Sequence, residues 1–207
     1  MFSPKDADLA RGWPGRIEGD HVIQLAAQTL QAYFSGGGTA REHAGFRLDE
    51  VVFRAPVLQP PSVRVFDADG DFRFANPTAI VGPGDTVLLP EGADEIVPVL
   101  RIVAVIGAEG AIGGYTLMND WLAPALAGTK AHDFAISLGP VVVTPDELQV
   151  VFQDWSSLVE TASRNTRLLP GDILAAGDGR KDPVGAGETV ELTLIPPLGV
   201  LRNTVTR

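Results

Sequence analysis

Asp67, Asp69 and Asp71 in "DADGDF" alternate as the first ligands of a calcium loop do. The sixth position is Phe72 rather than Gly and the twelfth is Thr78 rather than Glu, so the stretch reads as a hairpin tip between "VRVF" and "FRF". His132, in "KAHDF", is close in sequence to Lys130 and has the one side-chain type that titrates near neutrality when unperturbed. A surface histidine fits the same residues equally well. His21 and His43 read as structural or exposed. No serine sits in a G-x-S-x-G elbow, which leaves a Ser-His-Asp hydrolase without support. "GPGDTV" and "GDGRKDPVGAG" are glycine-rich but lack the Lys-Ser/Thr and the strand-to-helix setting of a phosphate loop. With no cysteine there is no disulfide, thiolate metal site or cysteine nucleophile. The stretch "VPVLRIVAVIGAEGAIGGYTLMND" reads as two strands, the second closing on Asn119-Asp120, with no acid between Val97 and Gly107.

The elements that must position these residues are mostly strands. "HVIQLAAQTLQAYF" carries Val22, Ile23, Ala26, Leu30 and Phe34 at roughly helical spacing, and "SGGG" stops the run, which predicts one long helix. From "PPSVR" onward, short apolar runs punctuated by Gly, Pro and Asp predict an antiparallel-rich, coiled sheet structure. Trp155, Leu158, Val159 and Ala162 predict a short second helix that Asp154 can cap. The fold class is therefore α+β and β-rich. A chain of 207 residues at 45% hydrophobic and 20% charged can bury a sizeable core. Sixteen Lys and Arg against 26 Asp and Glu give a formal charge of −10, which argues against nucleic acid and anionic lipid as partners. No apolar run approaches the roughly 20 residues of a bilayer span, and no apolar signal segment opens the chain, so a cytoplasmic protein is expected.

Six segments, in order over nearly the whole chain, resemble the fumarylacetoacetate hydrolase family. They are "FSPKDADLARGWPGRIEGDHVIQLAAQTLQAYFSGGG", "NPTAIVGPGDTVLLP", "AVIGAEGAIGGYTLMND", "KAHDFAISLGPVVVTPDEL", "ASRNTRLLPGDIL" and "GVLRNTV". The resemblance implies a single domain with a small N-terminal α/β region, residues 1–62, and a mixed β-roll over 63–207. It also implies a homodimer and activity on dicarbonyl acids by hydrolysis, isomerisation or decarboxylation.

Members of that family generally hold Mg²⁺, Mn²⁺ or Ca²⁺ through a Glu-x-Glu pair just before V-I-G and an Asp after the Asn of the next strand. Residues two apart on a strand lie on one face about 6.6 Å apart, so both carboxylates reach one hard cation. Aligned on "VIG", the glutamates fall on Val99 and Arg101, and Asp120 alone matches. Three carboxylates would bring −3 to a +2 ion, whereas Val99, Arg101 and Asp120 sum to zero with a cation already built in. No metal and no other cofactor are expected. On one reading the Arg101 guanidinium takes the ion's electrostatic place and pairs with Asp120, as its planar fork allows. On the other, Arg101 is a solvent-facing strand residue in a decayed site.

Other family parts depart as well. The lid segment with its catalytic His and acid is replaced by "VFDADGDFRFANP", and "WLAPALAGTK" stands where relatives have a longer loop. The family's Lys matches at Lys130, and its Gly-Thr reads Gly177-Asp178. The expected catalytic set is Arg101, Asp120 and Lys130, with Val99, Trp121, His132 and Asp178 lining a widened, more apolar cleft. The expectation is a metal-independent, repurposed enzyme that isomerises or cyclises an enolisable 1,3-dicarbonyl-type small molecule, such as a polyketide-like intermediate in natural-product biosynthesis. A metal-dependent hydrolase or decarboxylase and a non-catalytic binding or scaffold homologue remain the alternatives.

Overall fold

Alternation at period two decides where the core lies. In the strand Val99–Ile106, Ile102, Ala104 and Ile106 join one buried cluster, and Val103 and Val105 join another on the opposite face. Its near-continuous apolar run is that of a strand covered on both sides. Each fully buried Ile or Val there contributes roughly 1.5–3 kcal/mol over an exposed one. The computed structural model describes residues 1–7, 9, 11–148 and 153–207. Residues 149–152, within the stretch read as leading into the second helix, lie outside them.

Val99–Ile106 is the middle strand of a seven-stranded sheet. The order is Phe72–Ala75, Val63–Phe66, Ile173–Arg180, Val99–Ile106, Ile112–Asp120, Ile136–Val143 and Ile80–Val81. Two pairings are parallel, Ile173–Arg180 with Val63–Phe66 and Ile136–Val143 with Ile80–Val81; the others are antiparallel. A three-stranded sheet of Thr189–Thr193, Val200–Thr206 and Thr86–Leu88 covers one face. Its Val190, Leu192, Leu201, Val205 and Val87 enter the same cluster as Leu117 and Leu174. The intervening Glu191 and Arg202 stay exposed and pair at 2.5 Å. The result is the β-rich, mixed-sheet architecture expected, with few helices.

The N-terminal region departs from expectation at its helix. His21–Leu25 is a strand, between Gly15–Glu18 and Glu42–Arg47, and the helix covers only Leu30–Ser35. Gly19, at φ +58°, closes a two-residue turn that sets Glu18 opposite His21, so a hairpin captures the β-branched Val22 and Ile23. Thr29 then starts the true helix by accepting from the Ala32 N–H at 3.0 Å, and Leu30 and Phe34 bury one face. The helical spacing joined residues of two different elements. The second helix is as expected: Trp155–Ser163, with Asp154 accepting from the Ser157 N–H and Trp155 and Ala162 buried. Among the described residues no helix is long and apolar enough to cross a membrane.

Candidate functional site

Register brings Arg101 and Asp120 together. Arg101 stands opposite Met118 across the ladder, and Asp120 is two residues further along the same face, a diagonal neighbour within reach of a long side chain. Arg101 Nε donates to Asp120 Oδ2 at 2.9 Å, and Nη1 donates to the Gly177 carbonyl. Arg101 is buried, so the solvent-facing reading does not hold.

A bulge in the neighbouring strand makes the second bond possible. Leu100 pairs with Gly179 and Ile102 with Ala176, so the single residue Arg101 faces two, Gly177 and Asp178. Gly177 has φ +96°, a conformation open to glycine and strained for other residues. The bend turns its carbonyl onto the guanidinium.

The structure adds a second arginine. "DADGDF" is the tip of the hairpin expected, between Val63–Phe66 and Phe72–Ala75, with Gly70 at φ +85° in the turn. Arg73 sits opposite Val65, whose side chain enters the core, and its Nη2 donates to both Asp120 oxygens, at 2.7 and 2.6 Å. Asn76, just past the hairpin, donates to the Asp133 carbonyl at 3.1 Å and ties this arm to the turn carrying His132. The signal for Arg73 was present: in "FRF" the two phenylalanines share a face, so the arginine must take the other one.

His132 follows the short Gly128–Ala131 turn, and its Nδ1 is buried, 3.6 Å from Asp120 Oδ1 and without a hydrogen bond. Asp120 is fully buried. Burial alone would raise its pKa. His132, the two guanidinium charges and the Arg73 hydrogen bond outweigh burial and hold the carboxyl at about 2, well below the usual carboxylate range. Asp120 is therefore ionised at neutral pH. Two guanidiniums against one carboxylate leave the cluster with a net charge of +1.

Arg73, Arg101 and His132 line a cavity of about 370 Å³, together with Asp178, Arg180 and Phe66. It is more polar than expected. Val99 and Trp121 are buried in the core and do not line it. The Val99 N–H donates to Asn119 Oδ1 at 2.8 Å, and Trp121 Nε1 donates to Ser137 Oγ at 2.8 Å. Lys130 is also outside: its ammonium is exposed and pairs with Asp133 at 2.9 Å. Asp178 lines the cavity and lies 3.9 Å from Arg180. His21 is paired with Asp20, and His43 is exposed on the strand Glu42–Arg47.

The residues do not suit the family's metal. Both Asp120 oxygens accept from arginine, and an ion there would face two guanidiniums at hydrogen-bonding distance. Among the described residues no group of three or more His, Cys, Asp or Glu is gathered that could hold an ion.

The fold and this site define an α+β protein whose curled mixed sheet carries a charged cluster at one end of adjacent strands. Solved structures share that architecture. A 2-hydroxyhepta-2,4-diene-1,7-dioate isomerase from Mycobacterium marinum is 25% identical, with a TM-score of 0.76 over 94% of this chain and 93% of that one. A maleylpyruvate hydrolase from Sphingobium sp. SYK-6, in complex with manganese (II) ion and pyruvate, is 20% identical, with a TM-score of 0.77 over 95% and 96%. In sequence, protein Rv2993c of Mycobacterium tuberculosis is 29% identical over 170 residues, 63% of this chain and 64% of that protein. A probable 2-keto-3-deoxyxylonate dehydratase of Haloferax volcanii is 33% identical over 95 residues, 41% of this chain and 32% of that one. The match thus spans less than two thirds of either curated relative. No protein-family model matches the chain. These likenesses in sequence and fold support the resemblance to the fumarylacetoacetate hydrolase family read from the sequence.

Proposed function

We propose that the protein is a metal-independent enzyme that moves a proton within an enolisable 1,3-dicarbonyl-type small molecule, an isomerisation or a cyclisation that follows from it. The observation that carries this reading is the Arg101–Asp120 pair, 2.9 Å apart, facing a cavity at the position where relatives would gather a cation. Neighbours in fold named as an isomerase and a hydrolase support an enzyme of this family.

Removing a proton from the carbon between two carbonyls leaves an enolate whose charge sits on oxygen. Arg101, fixed by Asp120 on one edge and by the Gly177 carbonyl on the other, offers a preorganised positive charge to that oxygen. Asp120 is too weak a base to take the proton, because its carboxyl is held at about 2. His132 lines the cavity and has the side chain suited to accept the proton from one carbon and return it at another, which balances an isomerisation. Lys130, at the exposed surface, has no part in this reading. A polyketide-like natural-product substrate, a homodimer and a cytoplasmic setting remain part of the proposal; light scattering after size exclusion tests the dimer.

Deuterium exchange at the central methylene of acetylacetone, followed by proton NMR, tests the chemistry. The expected result is exchange faster than buffer, unchanged by EDTA, and reduced roughly 10- to 1000-fold by Arg101→Met, the scale of one lost charge-stabilising donor. Exchange abolished by EDTA and restored by Mg²⁺ or Mn²⁺ would overturn metal independence. Exchange no faster than buffer would leave a binding or scaffold protein.

A further inference from the structure

The charges around the cavity cancel. Arg73, Arg101 and Arg180 are matched by Asp67, Asp178 and the Asp120 that the first two share, so the site has no net charge to offset the desolvation of a charged ligand. Its apolar side comes from the other face of the sheet. Phe66, Ala176 and Leu158 line the cavity and belong to or pack against one core cluster, whereas Val65 and Val103, on the face of Arg73 and Arg101, belong to the other. Phe66 and Ala176 are 3% and 2% exposed and show the cavity little surface. Of the three, Leu158 alone is only partly buried. The helix Trp155–Ser163 fixes it there: Asp154 caps the first turn, Trp155 and Ala162 anchor one face in the core, and the Trp155 ring lies 5.6 Å from that of Tyr115. Leu158, three residues after Trp155, stands next to that buried stripe.

We propose that Leu158, backed by Phe66 and Ala176, reads an apolar chain on the ligand, so that the preferred ligand is an uncharged 1,3-dicarbonyl carrying a short alkyl chain. The inference rests on the reading that the cavity takes an enolisable head at Arg101 and His132, and it adds the residue that selects among such molecules. With the head held at the charged side, a chain leaving it buries its methylenes against the apolar side. The chain then supplies binding energy away from the reacting carbons, where an enzyme can use it to orient them.

Calorimetric titration with acetylacetone, heptane-2,4-dione and nonane-2,4-dione, which share the head and differ in chain length, tests this directly. The parent protein should bind about fourfold more tightly for each added methylene, the scale of burying one CH₂. Leu158→Gln, similar in size but polar, should cut that gain to about twofold or less per methylene and leave acetylacetone within about threefold of the parent. Where that variant folds poorly, Leu158→Ala, which keeps the helix and removes the wall, should weaken heptane-2,4-dione relative to acetylacetone by at least about threefold. Affinities that do not rise along the series, or a rise unchanged in both variants, would overturn the proposal. So would tighter binding of acetylpyruvate, an acid, than of heptane-2,4-dione. A rise along the series without deuterium exchange would defeat the proposed reaction and leave this site standing, whereas exchange without a rise would defeat this site alone.

Discussion

Arg73 Nη2 lies 2.7 and 2.6 Å from the two carboxylate oxygens of Asp120, 47 residues further along the chain. With Arg101 Nε at 2.9 Å, one buried carboxylate holds two guanidiniums. Removing the carboxylate strands both, whereas removing either arginine leaves Asp120 a partner. Asp120→Asn should therefore destabilise the protein by roughly 3–5 kcal/mol, and Arg101→Met by about 1–3 kcal/mol, in urea denaturation. Equal costs would mean that the two arginines do not share the load.

Asp120 also sets a pH dependence. Its carboxyl titrates at about 2 in the folded protein against 3.8 ordinarily. A depressed carboxyl pKa stabilises the fold above the unfolded value, and that contribution is lost as pH falls from about 4 to about 2. The difference in stability between the parent and Asp120→Asn should shrink by about 2 kcal/mol over that window. Urea melts of both proteins at several pH values check this, and a constant difference would contradict the charged cluster.

Gly177 has open space where a Cβ would lie, yet its φ of +96° suits glycine. Gly177→Ala should cost about 1–2 kcal/mol through backbone strain alone. Because the bulge aims the carbonyl at Arg101, the variant should also slow the proposed exchange. A variant as stable as the parent would mean that the bulge relaxes freely.

Trp121 fills the core and bonds to Ser137, away from the cavity. Trp121→Phe should cost about 1–3 kcal/mol, because it leaves the buried hydroxyl unpaired. Ligand affinity should stay unchanged in calorimetry; a large loss of affinity would return Trp121 to the cavity wall.

The amino-acid sequence by itself determined the sheet-rich fold, because short apolar runs between Gly, Pro and Asp can bury their faces in few other ways. It also carried the pairing of Arg101 with Asp120: both lie near the ends of adjacent strands, and the strand period puts them on one face. The capped second helix and the hairpin tip at Asp67–Asp71 were local enough to read directly. What lay beyond it depended on which elements meet. Val22 and Ile23 fitted a helix until pairing with Gly15–Glu18 and Glu42–Arg47 made a strand of them. Trp121 directly follows Asp120, so the pleat turns it into the core on the other face, whereas Val99 shares a face with Arg101 and is nevertheless buried and outside the cavity lining. Lys130 and His132 are two residues apart; the turn Gly128–Ala131 leaves the lysine in solvent and brings the imidazole to Asp120. Arg73 and Asp120 meet only because the hairpin Val63–Ala75 packs along Ile173–Arg180 at the sheet's edge. Local periodicity fixes which way a side chain points along its own strand, but the charge it finds there is set by strands distant in sequence, and only tertiary packing brings those together.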